Sequence, residues 1–275
     1  MRWRSVLVLA SVAIFLPSSA VGRVLPDRQR PAPVQEQFPN LVPLPAGDLE
    51  VGHDDDEALR AIRFSVSIWN AGDYSFDVLG RPEAADPFGE AEAEQCVAWA
   101  TPRTCLQRKS VGSLVYHQEH DHYHFEDFAL YELRKFRSNG SVNMSPKGLV
   151  SSSEKVSFCL VDIERRDGSD PTYTAPWPLY FGCYTGLGQQ GISPGWVDVY
   201  PSSLPGQFVP IEGVPDGRYA IVLHTDPGGK VFESNDDDNV SVVGIELAGG
   251  GASLGMICAG APGSLVCDKP VGPES

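Results

Sequence analysis

Four of the six histidines in this chain fall within Tyr116-His117-Gln118-Glu119-His120-Asp121-His122-Tyr123-His124. His120, His122 and His124 alternate with other residues. Successive side chains on a β-strand point to opposite faces, so this spacing puts three imidazoles on one face of a strand, whereas a helix would scatter them. Converging neutral imidazoles suit copper, zinc, iron or nickel. Packing does not ask for histidine here, because a half-buried strand favours β-branched and aromatic residues. The competing reading is a His-rich surface strand that takes up metal weakly.

The elements that must position these residues read as short strands. The chain has 275 residues, 42% of them hydrophobic, with Gly 28 and Pro 23, which suits many turns and an all-β architecture. Ile62, Phe64, Val66 and Ile68 alternate on one buried face. Asn70-Ala71-Gly72-Asp73 reads as the turn of a strand pair that returns through Phe76 and Val78. Residues 81 to 111 read as irregular, with a short helical turn from Ala91 to Cys96. The histidine strand continues from Phe125 to Arg134, its alternation broken once, as by a β-bulge. Lys155 to Ile163 and Trp196 to Tyr200 read as extended. Tyr219, Ile221 and Leu223 share a face of a further strand, and Val240 to Ile245 form the last. Many short strands with frequent turns predict a β-sandwich with long irregular loops.

The formal net charge of -15 argues against nucleic acid and anionic membrane as partners, since both demand basic surface. It favours amines or lysine-rich proteins, or serves solubility alone. Arg2 and Arg4, then the short apolar run from Ser5 to Pro17, then small residues at 18–22 read as a secretory signal peptide. That run is too short to span a bilayer comfortably, and no later segment reads as a membrane span. The expected organisation is a signal peptide at 1–22, a Pro-rich lead at 23–48, a catalytic domain at 49–247 and a Gly-rich tail at 248–275. Export permits disulfides. The spacing of the cysteines suggests Cys96–Cys105, Cys159–Cys183 and Cys258–Cys267, although sequence alone does not fix the connectivity.

From about residue 40 to 247 the chain resembles the lysyl oxidase catalytic domain. The resemblance is carried by His117-x-x-His120-x-His122-x-His124, by Asp127-Phe128 and by Tyr131-Glu132-Leu133. It continues in Lys155-Val156-Ser157-Phe158-Cys159-Leu160-Val161-Asp162 and in Gln190-Gly191-Ile192-Ser193-Pro194-Gly195 through Asp198-Val199-Tyr200. It ends with Val214-Pro215-Asp216-Gly217-Arg218-Tyr219 and with Glu233-Ser234 through Asn239-Val240. It implies copper held by His120, His122 and His124, and a lysyl tyrosylquinone made from Lys155 and Tyr200 after copper and oxygen oxidise the tyrosine. The implied reaction is oxidative deamination of a primary amine, such as a lysine side chain, by molecular oxygen. Its products are an aldehyde, ammonia and hydrogen peroxide. Asp198 is the candidate general base, since an extended backbone puts it on the face of Tyr200. His117 is a candidate to orient the site or assist proton transfer. The acidic loop Asp236-Asp237-Asp238-Asn239, with Asn40, is a candidate calcium site against plain solvation. Glu119 and Trp196 stand where animal members of the family carry cysteines.

Two other readings stay open. His120-x-His122 with Glu126 has a cupin-like ligand spacing, but Leu114 and Leu133 stand where the flanking glycines are expected. An exported copper-binding or adhesion module would keep the β-sandwich and the histidines without the chemistry.

Overall fold

The alternation at Ile62, Phe64, Val66 and Ile68 builds the strand Arg60–Asn70, and all four side chains are buried on one face. This strand is the spine of a six-stranded antiparallel sheet. Leu41–Pro43, Gly47–His53, Trp196–Tyr200 and Phe208–Pro210 all pair with it, and Glu164–Arg165 extends the sheet beyond Trp196–Tyr200. The second sheet has twelve strands. Its order runs Gln189–Ile192, Phe76–Gly80, Ala91–Thr101, Thr104–His117, His122–Lys135, Gly217–Thr225, Val240–Ala248, Cys258–Ala261, Ser264–Val266. Leu149–Ser152 and Val156–Phe158 pair with His122–Lys135, and Ser253–Leu254 with Val240–Ala248. Among the described residues the one helical element is the 3-10 turn Pro146–Gly148. The computed structural model describes residues 34–55, 58–80, 88–118, 121–153, 156–166, 174–183 and 189–249, with the backbone alone of the three short strands after residue 250. These belong to the unit Gln35–Ser275. The expected signal peptide and most of the Pro-rich lead lie outside them.

The inner faces of the two sheets close on one core, as a β-sandwich requires. Phe64 of the smaller sheet meets Tyr131 of the larger edge-on, with ring centroids 5.2 Å apart. A file of rings then leads across the core. Phe76 packs on Phe128 at 5.7 Å, Phe128 on Phe158 at 5.5 Å, and Phe158 on Tyr200 at 3.9 Å and 18°. Burying each phenylalanine contributes roughly 1.5–3 kcal/mol, and the file they form packs against the Tyr200 ring.

Two local expectations are corrected. Arg60–Asn70 and Phe76–Gly80 are not a hairpin, because they lie in different sheets. Asn70 turns the chain between them. Its Oδ1 accepts from the Asn40 and Gly72 amides at 3.2 and 3.0 Å, and its Nδ2 donates to the Tyr74 and Ile192 carbonyls at 2.9 and 2.8 Å. A Cβ on Gly72 would stand 2.5 Å from the Asn40 nitrogen, which is why the corner takes glycine. Residues 91–117 are neither irregular nor helical. Ala91–Thr101 and Thr104–His117 form a long hairpin with several register shifts. Pairing in a sheet overrides the helical preference of the Ala/Glu run, a weak prior worth tenths of a kcal/mol per residue.

The expected disulfides Cys96–Cys105 and Cys159–Cys183 are formed. Cys267, and with it the third pair, lies outside the described residues.

Candidate functional site

The histidine strand begins at His122, after Asp121 with φ 56°. The alternation argument therefore holds for His122 and His124, which share a face, but does not carry an unbroken strand back to His120. His120 itself lies outside the described residues. The register of the hairpin sets His117 opposite His122. The second interruption of the strand is the bulge expected from the sequence. Asp127 takes φ 58°, and the pairing with Val156–Phe158 shifts between Phe125 and Ala129.

The two strand histidines converge. Their Nε2 atoms lie 3.0 Å apart, and the His124 Nδ1 lies 3.3 Å from the Ser157 hydroxyl. The His117 ring stacks on that of His124, centroids 4.1 Å apart, while its Nε2 lies 3.4 Å from Glu126 Oε1. Metal–imidazole bonds of about 2.0–2.1 Å can meet between nitrogens at this separation, so His122 and His124 fit one ion. Among the described residues no three His, Cys, Asp or Glu side chains form a metal cluster.

The other half of the site comes from the strand Trp196–Tyr200, paired with Val66–Trp69. Its alternation puts Asp198 and Tyr200 on one face. His122, His124, Ser157, Cys159, Asp198, Tyr200 and Gln207 line a single cavity of about 430 Å³, whose walls also include Val161, Val199, Leu204 and Pro205. The Tyr200 hydroxyl donates to the Cys159 carbonyl at 2.7 Å. Gln190, fully buried, ties the two halves together. It donates to the carbonyl of Tyr123, between the two histidines, and accepts from the Leu160 amide at 3.1 Å. Lys155 lies outside the described residues, but Ser157 and Cys159, just after it in the chain, are on the cavity wall.

Asp198 is fully buried, and neither carboxylate oxygen has a hydrogen-bond partner. Burial pushes its pKa well above the usual carboxylate range. The nearby amides of Val161 and Val199 offset part of this without closing a hydrogen bond of good geometry, and the charge of Asp162 adds to it. Burial, then the charge of Asp198, likewise raises the Tyr200 phenol well above its ordinary value. Behind them the buried Tyr131 hydroxyl donates to Gln207 Oε1 at 3.1 Å, while Gln207 Nε2 is buried without a partner. Ser157, Gln190 and Gln207 were not singled out from the sequence as site residues. The available signal was their place inside or just after the motifs that carry Lys155 and Tyr200.

A separate cluster involves the acidic loop. Asn40 Nδ2 donates to Asp238 Oδ2 at 3.0 Å, and the Leu41 amide and Asn239 Nδ2 donate to the two oxygens of Glu233. Three side-chain oxygens here, Asn40 Oδ1, Asp238 Oδ1 and Asn239 Oδ1, are buried without a partner. Burial pushes Glu233 up to about 8. Its hydrogen bonds from Leu41 and Asn239 oppose the rise, and the charges of Asp226 and Asp236 reinforce it.

Comparison with known proteins gives the family of the chain. The family model described as Lysyl oxidase matches residues 97–255. That is more than half of the chain, and the chain belongs to the lysyl oxidase family. It is 31% identical over 128 residues to lysyl oxidase homolog 3A of Danio rerio and 30% identical over 129 residues to lysyl oxidase homolog 3 of Homo sapiens. It is 32% identical over 127 residues to lysyl oxidase homolog 2 of Gallus gallus. Each alignment covers 46% of this chain but only 14–15% of the relative. The family assignment displaces the cupin-like reading, and Glu126 stands beside His117.

Proposed function

We propose that this protein is a secreted, copper-dependent amine oxidase acting on primary amines, either lysine side chains of proteins or small amines. The observation that carries the reading is the meeting of His122, His124, Asp198 and Tyr200 on one cavity in a member of this family. In it His120, His122 and His124 hold copper, and Lys155 and Tyr200 form the lysyl tyrosylquinone. Bound copper with oxygen would supply the oxidising power, and the quinone an electrophilic carbonyl and electron sink for the amine.

The chain's own residues do the rest. Phe158 and the Cys159 carbonyl hold the Tyr200 ring at a fixed angle. Asp198 takes the proton from the carbon beside the amine nitrogen. It does so in its ionised form, which burial makes a stronger base than a carboxylate in water. The apolar walls at Val161, Leu204 and Pro205 receive the carbon chain of the substrate. Export fits the charged and apolar N-terminus, and no helix among the described residues is long and apolar enough to cross a membrane.

The test is a peptide mass map of the copper-loaded protein. Covalently joined Lys155 and Tyr200 peptides are expected, together with peroxide release from a primary amine. Separate, unmodified peptides from fully copper-loaded protein would replace this reading with that of an exported copper-binding module.

For the loop cluster we propose a second ion. The buried, unpartnered oxygens of Asn40, Asp238 and Asn239 are of the hard type that calcium takes. Its role would be structural, tying the lead at Asn40 to the loop before the last long strand.

A further inference from the structure

A ligand imidazole binds a metal well only when its other nitrogen is held, because that partner fixes both tautomer and ring direction. His124 has two such supports. Its Nδ1 faces the Ser157 hydroxyl at 3.3 Å, and its ring is covered by His117 at 4.1 Å and 23°. The Ser157 hydroxyl is set by the strand Val156–Phe158, whose Phe158 stacks on Tyr200. His117 sits at the end of the neighbouring strand, with Glu126 beside its Nε2. The His124 ring is thus clamped between two strands, its Nε2 directed at that of His122.

We propose that Ser157 and His117 are positioning residues for the metal ligand His124, and that together they set the affinity of the site for copper. Ser157 accepts the Nδ1 proton of His124, which leaves the lone pair on Nε2 facing His122. His117 acts through its ring face and keeps the imidazole from rotating away. The inference rests on the copper reading above; it brings in Ser157 and narrows the orienting role expected of His117 to a ring contact with His124.

The experiment is a competition titration of the full chain with Cu(II) against a chelator of known affinity, with the electron paramagnetic resonance spectrum as second readout. Ser157→Ala is expected to weaken copper binding about 10- to 100-fold, the usual cost of losing such a partner. Ser157→Thr, which restores the hydroxyl, should recover most of it. His117→Phe, which keeps a flat ring, should stay within about threefold of the parent, whereas His117→Ala falls by about tenfold or more.

If Ser157→Ala binds copper as the parent does, or Ser157→Thr is as weak as Ser157→Ala, the role of the hydroxyl is overturned. If His117→Phe is as weak as His117→Ala, His117 works through its nitrogens and the stacking role is overturned. Failure of the parent chain itself to bind copper would overturn the copper reading instead, and His122→Ala marks that floor. Metal-free variants that melt with the parent exclude unfolding as the cause.

Discussion

Asp198→Asn separates the chemistry of the cavity from its stability. The carboxyl is fully buried, neither oxygen meets a donor, and its folded pKa lies well above the ordinary range. In the unfolded chain it titrates near 3.9. Between those two values folding takes up one proton at this group. Its contribution to stability is complete below about pH 4 and is lost as pH rises toward the folded pKa, at about 1.4 kcal/mol per pH unit.

Asparagine has nearly the same shape and does not titrate. The difference between parent and variant therefore isolates this group, because the other titrating residues cancel. The assay is urea unfolding of both proteins, metal-free and with disulfides intact, at pH 5, 6 and 7. The variant should gain on the parent as the pH rises, at a slope of up to about 1.4 kcal/mol per unit, while losing about 10²- to 10⁴-fold in amine oxidation, the usual contribution of a general base. A stability difference that stays constant across this range would mean that Asp198 is already ionised in the folded protein at pH 5. That would refute the argument from burial.

Glu132→Gln removes the carboxylate that Arg134 grips at 2.6 and 2.7 Å and that His224 approaches at 2.7 Å. It leaves a buried guanidinium uncompensated, so a loss of about 3–5 kcal/mol is expected at pH 7 by urea unfolding. Burial alone would raise this carboxyl, but the His224 and Arg134 contacts outweigh it and hold it down to about 2. Its contribution is therefore present above about pH 4.5, its unfolded value, and the penalty of the variant should shrink as the pH falls toward 2. Millimolar calcium should raise the melting temperature of the parent chain and not that of Asn40→Ala, read by scanning calorimetry; equal shifts would exclude the loop cluster as the site. Gly72→Ala should destabilise by about 1–3 kcal/mol, because its Cβ meets backbone at Asn40 and Pro39.

The parts of this molecule that were legible in the sequence are those governed by local periodicity. Ile62 to Ile68 read as a buried strand face because period-2 alternation survives whatever the strand pairs with. Asp198 and Tyr200 read as neighbours for the same reason. The corner at Asn70 was not legible. A hairpin turn and a corner between sheets use the same local residues, and what separates them is where Asn70 finds partners, at Asn40 and Ile192. The composition of Ala91–Cys96 favours a helical turn, while the pairing of Ala91–Thr101 with Thr104–His117 is set by the sheet.

The same distinction runs through the site. The histidines announce themselves by type and spacing. Asp121, with φ 56°, shows that spacing alone does not make a strand. Ser157, Gln190 and Gln207 carry no signal of their own, being ordinary polar residues in extended segments. They matter because two sheets bring together stretches far apart in sequence, and because buried polar groups must find partners or be held for a ligand. Gln207, with one end of its amide on Tyr131 and the other unpartnered beside the cavity, belongs with Asp198 in the second group. Groups of that kind weaken the fold and are retained where a bound molecule completes them. The unpaired atoms of Asp198 and Gln207 therefore point to the same cavity as the motif histidines, on grounds independent of the sequence pattern.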